Sequence, residues 1–344
     1  MKKAWKRLLA WGLCLSLLLS YGALAADMMP MDGMGPPPGG DMGGAPPPGD
    51  GAPETAAIVI TDGAENPDAE YEPGAYSNYL SNVDGVLIID GLVLTSGDYT
   101  FNGLVATGPD SVVRLQKCTI RLGVDSLATD DDTGGAATNI DNGATLYISD
   151  SELVVDGAAR YVTANYNDAK LIVNNSTVTS TGSNDNTADV SEPFSNAALL
   201  ISGTARANFS IGATQTYYYD SVCTAEGWAA LSTDSATGNG LDLYAYNTEG
   251  IAENGGYSTY ADTNCRVWLY GSRLTAAEIG CIISKNGQIH SYGSDSAPED
   301  VMQYHEGKEV SIDSSIVGGR NAVMIHAPDM MGQGLMAADC GTFY

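Results

Sequence analysis

Five residues after the hydroxyl residues Ser221, Thr248 and Ser294 stand Glu226, Glu253 and Glu299. Six after Ser272 stands Glu278, and five after Ser315 stands Arg320. Regularly spaced carboxylates can share a proton, hold a cation or work as an acid and a base. At the spacing of neighbouring strands they repel one another, so one of them titrates high unless a cation sits there. Calcium takes six to eight oxygens, which Glu226, Glu253 and Glu278 could supply in part together with turn carbonyls. On adjacent strands two of the four would lie about 5 Å apart, near the separation used by retaining glycosidases; on alternate strands the gap is about 10 Å, slightly beyond the inverting one. The plain alternative is a row of solvated acids that splay apart. Asp130, Asp131 and Asp132 form a second acidic turn, open to calcium or to water alone. His290, His305 and His326 lack metal-ligand spacing, and His326 with Met330 and Met331 is a weak set.

A second constellation is aromatic. The segments TYYYDSVC, LYAYNTEG, VWLYGSRL and IHSYGSDS align on Ser221, Thr248, Ser272 and Ser294. Four and two places earlier stand Tyr217/Tyr219, Tyr244/Tyr246, Trp268/Tyr270 and His290/Tyr292. Period two puts these eight on one face of stacked strands, with Thr216/Tyr218, Leu243/Ala245, Val267/Leu269 and Ile289/Ser291 on the other. The aromatic face would measure roughly 15 Å by 7 Å, too apolar to stay bare on an ordinary monomer. A glycan, through ring stacking and hydroxyl hydrogen bonds, or a surface protein partner would cover it. The alternatives are rings stacked on each other for sheet stability, or rings lying under a loop such as Ser294–Glu309 or under a second protomer.

The elements that must position these residues are short strands. IVI, VLIID, LVL, VVRL, TLYI, ELVV, KLIV and TVT alternate with Gly, Asn, Asp and Ser clusters, without a convincing helix. They share the unit apolar-x-apolar-x-x-Ser/Thr/Cys-x-apolar, anchored at Cys118, Ser151, Ser176, Thr204, Ser221, Thr248, Ser272, Ser294 and Ser315. A spacing centred in the twenties fits one turn of a parallel β-solenoid, being short for a propeller blade and long for hexapeptide coils. A second strand follows each anchor, in GWAALSTD, GGYSTYAD, IGCIISKN and RNAVMIHA. From about Val59 onward the chain resembles the right-handed parallel β-helix, or pectin-lyase-like, repeat proteins that bacteria secrete or display. The resemblance implies an all-β solenoid of roughly eight to ten rungs and the right hand. None of the catalytic blocks of the β-helical polysaccharide-cleaving enzymes is found, and scarce Arg and Lys count against a lyase of acidic polysaccharide.

Residues 1–25 read as a signal peptide: Lys2, Lys3, Lys6 and Arg7, an apolar run from Leu8 to Ser20, then Ala23-Leu24-Ala25. Cleavage would leave 11 of 15 basic residues against 42 acidic ones, a balance of −31. Nucleic acid is excluded as a partner for that surface, and no membrane-spanning segment is expected after cleavage. Residues 26–56, rich in Pro, Gly and Met, read as a disordered linker, and 57–344 as the β-helix domain. Cys118, Cys223, Cys265, Cys281 and Cys340 are too few for a disulfide framework; they read mostly as small core residues, with one pair possible. The last residues, AADCGTFY, resemble the start of another rung without a cap, so a partner shielding the end or a longer chain is expected. Together these observations point to an extracellular or cell-surface binding or adhesion module without catalysis. A polysaccharide hydrolase or lyase working through the acidic corner, and a passive structural stalk, are the alternatives.

Overall fold

The computed structural model describes residues 56–98, 100–123, 135–157, 160–181, 195–196, 201–202, 205–234, 240–284, 286–325 and 341–344. Asp130–Asp132, Thr204, His326, Met330, Met331 and Cys340 lie outside them.

Three long sheets account for nearly all the described strands, and the chain visits them in strict rotation. Ala56–Thr61 opens sheet A, Val86–Asp90 enters sheet B and Val93–Ser96 enters sheet C; Asn102–Thr107, Val112–Gln116 and Thr119–Leu122 repeat the order. The rotation continues to Asn321–Ile325 in A and Thr342–Phe343 in B, every new strand lying parallel to its predecessor. At the opposite end A and B each gain one antiparallel strand, Ala64–Glu65 and Leu80–Val83, whereas the first described strand of C is Val93–Ser96.

Alternation decides which side chains face inward. In sheet B one core column runs Leu87, Val113, Leu146, Leu171, Thr216, Leu243, Val267, Ile289. In sheet C another runs Leu94, Ile120, Leu153, Val178, Cys223, Gly250, Leu274, Ile316. The apolar members of both columns except Gly250 belong to one core cluster. The described cysteines Cys118, Cys223, Cys265 and Cys281 are buried.

The corner between B and C explains the recurring hydroxyl. Just before it stands a residue of positive φ: Asp150, Asn175, Asp220, Asn247 or Gly271. Asn and Asp tolerate that conformation, and Gly adopts it freely. The backbone then turns its next amide toward the neighbouring corner. Ser151 N–H donates to Ser176 Oγ at 3.0 Å, Ser176 N–H to Ser221 Oγ at 3.2 Å and Thr248 N–H to Ser272 Oγ at 3.1 Å. The serine hydroxyls Ser151, Ser176 and Ser221 in turn donate to the carbonyl two residues back, as Ser176 to Asn174 and Ser221 to Tyr219, both at 2.7 Å, whereas Ser272 donates to Ala245 O at 2.8 Å. The result is a hydroxyl ladder, one bond handed on per rung.

This ladder corrects three anchors of the sequence alignment. Ser176 hands directly to Ser221, so the expected anchor at Thr204, outside the described residues, is not the corner that follows Ser176. Ser272 is met by Ser314 Oγ at 2.9 Å, which moves the expected anchor at Ser315 by one position. Ser294 is no rung corner: its Oγ donates to Val310 O and accepts from Ile312 N–H, closing the base of an excursion. That excursion, a strap from Ser294 to Val310, contains a four-residue helix, Glu299–Met302.

Candidate functional site

The outer face of sheet B carries three columns set by strand register. The outermost is polar: Lys170, Gln215, Asp242, Arg266, Gln288. The middle column runs Tyr147, Ile172, Tyr217, Tyr244, Trp268, His290, and the third Asn174, Tyr219, Tyr246, Tyr270, Tyr292. All eight residues expected on the aromatic face are there. They do not form one open platform.

The third column lies under the strap. Val301 packs against Ile172, Tyr217, Tyr219, Tyr246 and Tyr270, with Met302, Tyr304 and Val310 beside it. Polar contacts hold it at several points: Tyr219 Oη donates to Val301 O at 2.5 Å, Val310 N–H to Tyr246 Oη at 2.9 Å and Asn174 Nδ2 to Tyr304 O at 3.0 Å. His305, almost fully buried, meets Asp220 through Nε2–Oδ2 at 2.6 Å, and Glu306 pairs with Arg114 at 2.7 Å. Tyr219, Tyr246 and Tyr270 are therefore core residues of a small second cluster, and only Tyr292 in this column is exposed. A cleft of about 360 Å³ opens beside the base of the strap, lined in part by Asn247, Glu249, Arg273 and Asp313.

The middle column is half open. Its rings stack on each other along the sheet: Tyr217–Tyr244 at 4.8 Å, Tyr244–Trp268 at 6.2 Å and Trp268–His290 at 3.8 Å between centroids, all within about 11° of parallel. Tyr344 continues the stack at 4.4 Å from His290. Ring faces are spent on neighbours, so what Tyr244 and Trp268 offer to solvent is edges and polar tips. Trp268 Nε1 donates to Asp242 Oδ1 at 3.0 Å, and Arg266 pairs with the other oxygen of Asp242 at 2.5 Å. Burial, helped by the charges of Asp242 and Asp300, pushes the Tyr217 hydroxyl up to about 12; burial beside Tyr292 and Asp300 does the same to Tyr270. Burial, with Arg266 nearby, lowers His290.

The acidic corner is smaller than the sequence spacing suggests. Glu253 N–H donates to Ala225 O and Glu226 N–H to Ser180 O, which puts the two residues in the same register on adjacent rungs. Ala277 takes that position on the next rung, and Glu278 sits one place further on, paired with Arg320 at 3.2 Å. Glu299 is not in the corner at all, because it opens the strap helix. The expected column of four carboxylates is thus corrected to a pair. No group of three or more His, Cys, Asp or Glu side chains among the described residues is placed to hold a metal ion.

One cluster escaped sequence reading. On the outside of sheet A, Arg206 lies over the rings of Tyr161, Phe209 and Trp228 at 5.4, 4.9 and 6.0 Å. Of its four residues only Trp228 lies in a string that the sequence reading singles out, GWAALSTD. No family model, curated protein or solved structure matches the chain.

Proposed function

We propose that this chain is an exported right-handed parallel β-helix that acts at the cell surface as a binding and adhesion module, without catalysis. The strict rotation of the chain through three parallel sheets supports the solenoid. No described helix is long and apolar enough to cross a membrane. The observation that carries the binding reading is the half-open strip of Tyr244 and Trp268 beside Asp242, Arg266 and Gln288. Aromatic edges with carboxylate, guanidinium and amide groups suit a glycan, whose hydroxyls need both donors and acceptors while its C–H faces need apolar contact.

The test is a glycan array probed with the parent and with Tyr244→Ala, Trp268→Ala and Arg266→Ala. Binding by the parent, lost by at least tenfold in the variants, is expected. A parent that binds nothing, or variants that bind as well as it does, overturns the reading. Mutual stacking of the rings favours a second reading, a passive spacer, for which all three variants are silent. The in-register pair Glu226 and Glu253 is where polysaccharide hydrolysis would have to start; new reducing ends released from a polysaccharide panel, and lost in Glu253→Gln, would replace binding with an enzyme.

A further inference from the structure

A second cavity, of about 310 Å³, lies between the turns of residues 71–79 and the strand Val93–Ser96. That volume is in the range of small-molecule sites. Among the described residues its lining is aromatic, with Tyr71, Tyr76, Tyr79 and Phe101, and it holds one charged side chain, Glu72. Tyr76 and Phe101 are buried, while Tyr71 and Tyr79 reach solvent. Tyr71 stands at 89° to Phe101 with 5.7 Å between ring centroids, so the two are adjoining walls and not a flat stack.

The turn that carries these rings is tied down. Glu70, itself buried, accepts from Tyr76 Oη at 2.5 Å and from the N–H groups of Gly74 and Val59 at 3.4 and 3.5 Å. Tyr71 N–H donates to Ala56 O at 2.9 Å. The cavity is therefore preformed. Its surroundings also carry one sign of charge: residues 56–113 include nine Asp and Glu and no Lys, Arg or His, so no base from this segment neutralises Glu72. Burial and the Glu70 carboxylate push the Tyr76 hydroxyl up, so it donates a hydrogen bond and brings no positive charge. The guanidiniums nearby in the fold are engaged elsewhere. Arg121, in register with Thr95, pairs with Glu152 at 2.6 Å, and Arg160, which donates to Phe101 O, is fully buried.

We propose that this cavity binds a quaternary ammonium ion such as choline, its methyl groups against Tyr71, Tyr79 and Phe101 and its charge beside Glu72. Full methylation leaves the cation no N–H to donate, so a carboxylate alone does not select it. Aromatic faces do, because they attract the charge and cover the methyl groups in one contact. A neutral ligand of the same shape makes the apolar contact without the attraction, and a phosphate attached to the ammonium group is repelled by the acidic surroundings. The site lies apart from Tyr244 and Trp268, and it does not depend on glycan binding.

The test is equilibrium dialysis of the full chain against radiolabelled choline, with unlabelled competitors. Saturable binding is expected, with the neutral carbon isostere 3,3-dimethylbutan-1-ol and phosphocholine each displacing the label about tenfold less well than choline. Tyr71→Leu keeps an apolar side chain at a position that is 63% exposed but removes the ring; Glu72→Gln removes the charge. Each should weaken choline by about fivefold or more with an unchanged circular-dichroism spectrum. If Tyr71→Leu alters the spectrum, Glu72→Gln and Tyr71→Phe, which should bind choline like the parent, take its place. No saturable binding, an isostere or phosphocholine that competes as well as choline, or Glu72→Gln binding like the parent overturns the proposal.

Discussion

The corner hydroxyls carry more than their size suggests. Ser221 accepts the buried amide of Ser176 and donates to Tyr219 O, so Ser221→Ala strands one donor with no water to replace its partner. A buried unsatisfied group costs about 1–3 kcal/mol. Ser221→Ala should therefore lose that much in denaturant unfolding, and Ser221→Thr should lose little, since Thr248 fills the same place one rung on. The buried tyrosines set a limit at the alkaline side. Tyr217 and Tyr270 are held neutral more firmly folded than unfolded; the stability this contributes is complete below pH about 10 and is lost as pH rises towards about 12. Tyrosinate absorbance should show these two hydroxyls silent until that range, and unfolding should follow there. Not every decisive residue was legible. Arg160 is fully buried and donates to carbonyls of Phe101, Gly123, Gly135 and Asp156. Those acceptors are far apart in the chain, and a single arginine has no local pattern to announce that it will reach them.

The strap is an element whose role depends on what lies beneath it. Its helix spans only Glu299–Met302, too short to be stable alone, so Val301 on the tyrosines and the His305–Asp220 and Glu306–Arg114 pairs must hold it. Replacing residues 295–311 with a short Gly/Ser link should leave the far-ultraviolet dichroism of the sheets intact while bringing Tyr270 down toward an ordinary phenol value, read by the same absorbance titration. If Tyr270 still ionises near 12, its burial has another source. The strands themselves were readable because period two sorts Leu243, Val267 and Ile289 from Tyr244, Trp268 and His290 wherever the sheet falls. The strap was readable as a candidate cover, but its limits were not, because Ser294 follows His290 and Tyr292 at the spacing of a corner hydroxyl. A pattern match cannot tell a hydroxyl that hands on a rung from one that clasps a loop; the partners, Val310 and Ile312, lie 16 and 18 residues away.

For the whole molecule, the acidic balance and the sheet ladders act in opposite directions. A formal charge of −27 repels itself within the compact molecule, while the parallel ladders of the three sheets hold its strands together. The hydroxyl ladder adds a property of another kind. Each corner receives one hydrogen bond and passes on an identical one, so the joint between rungs does not record how many rungs precede it. Length is then a quantity the gene can change in whole steps, by copying or deleting one unit in frame. Thr248–Gly271 is such a unit: it begins at a corner hydroxyl, crosses sheets C, A and B once and ends where the next hydroxyl starts. A tandem duplication of those 24 residues should fold and lengthen the particle by about 4.8 Å in solution scattering, whereas a duplication cut two residues out of frame should not fold. Such a molecule is measured out in rungs, as a ruler is in divisions, and its reach can drift over generations without its chemistry being redesigned.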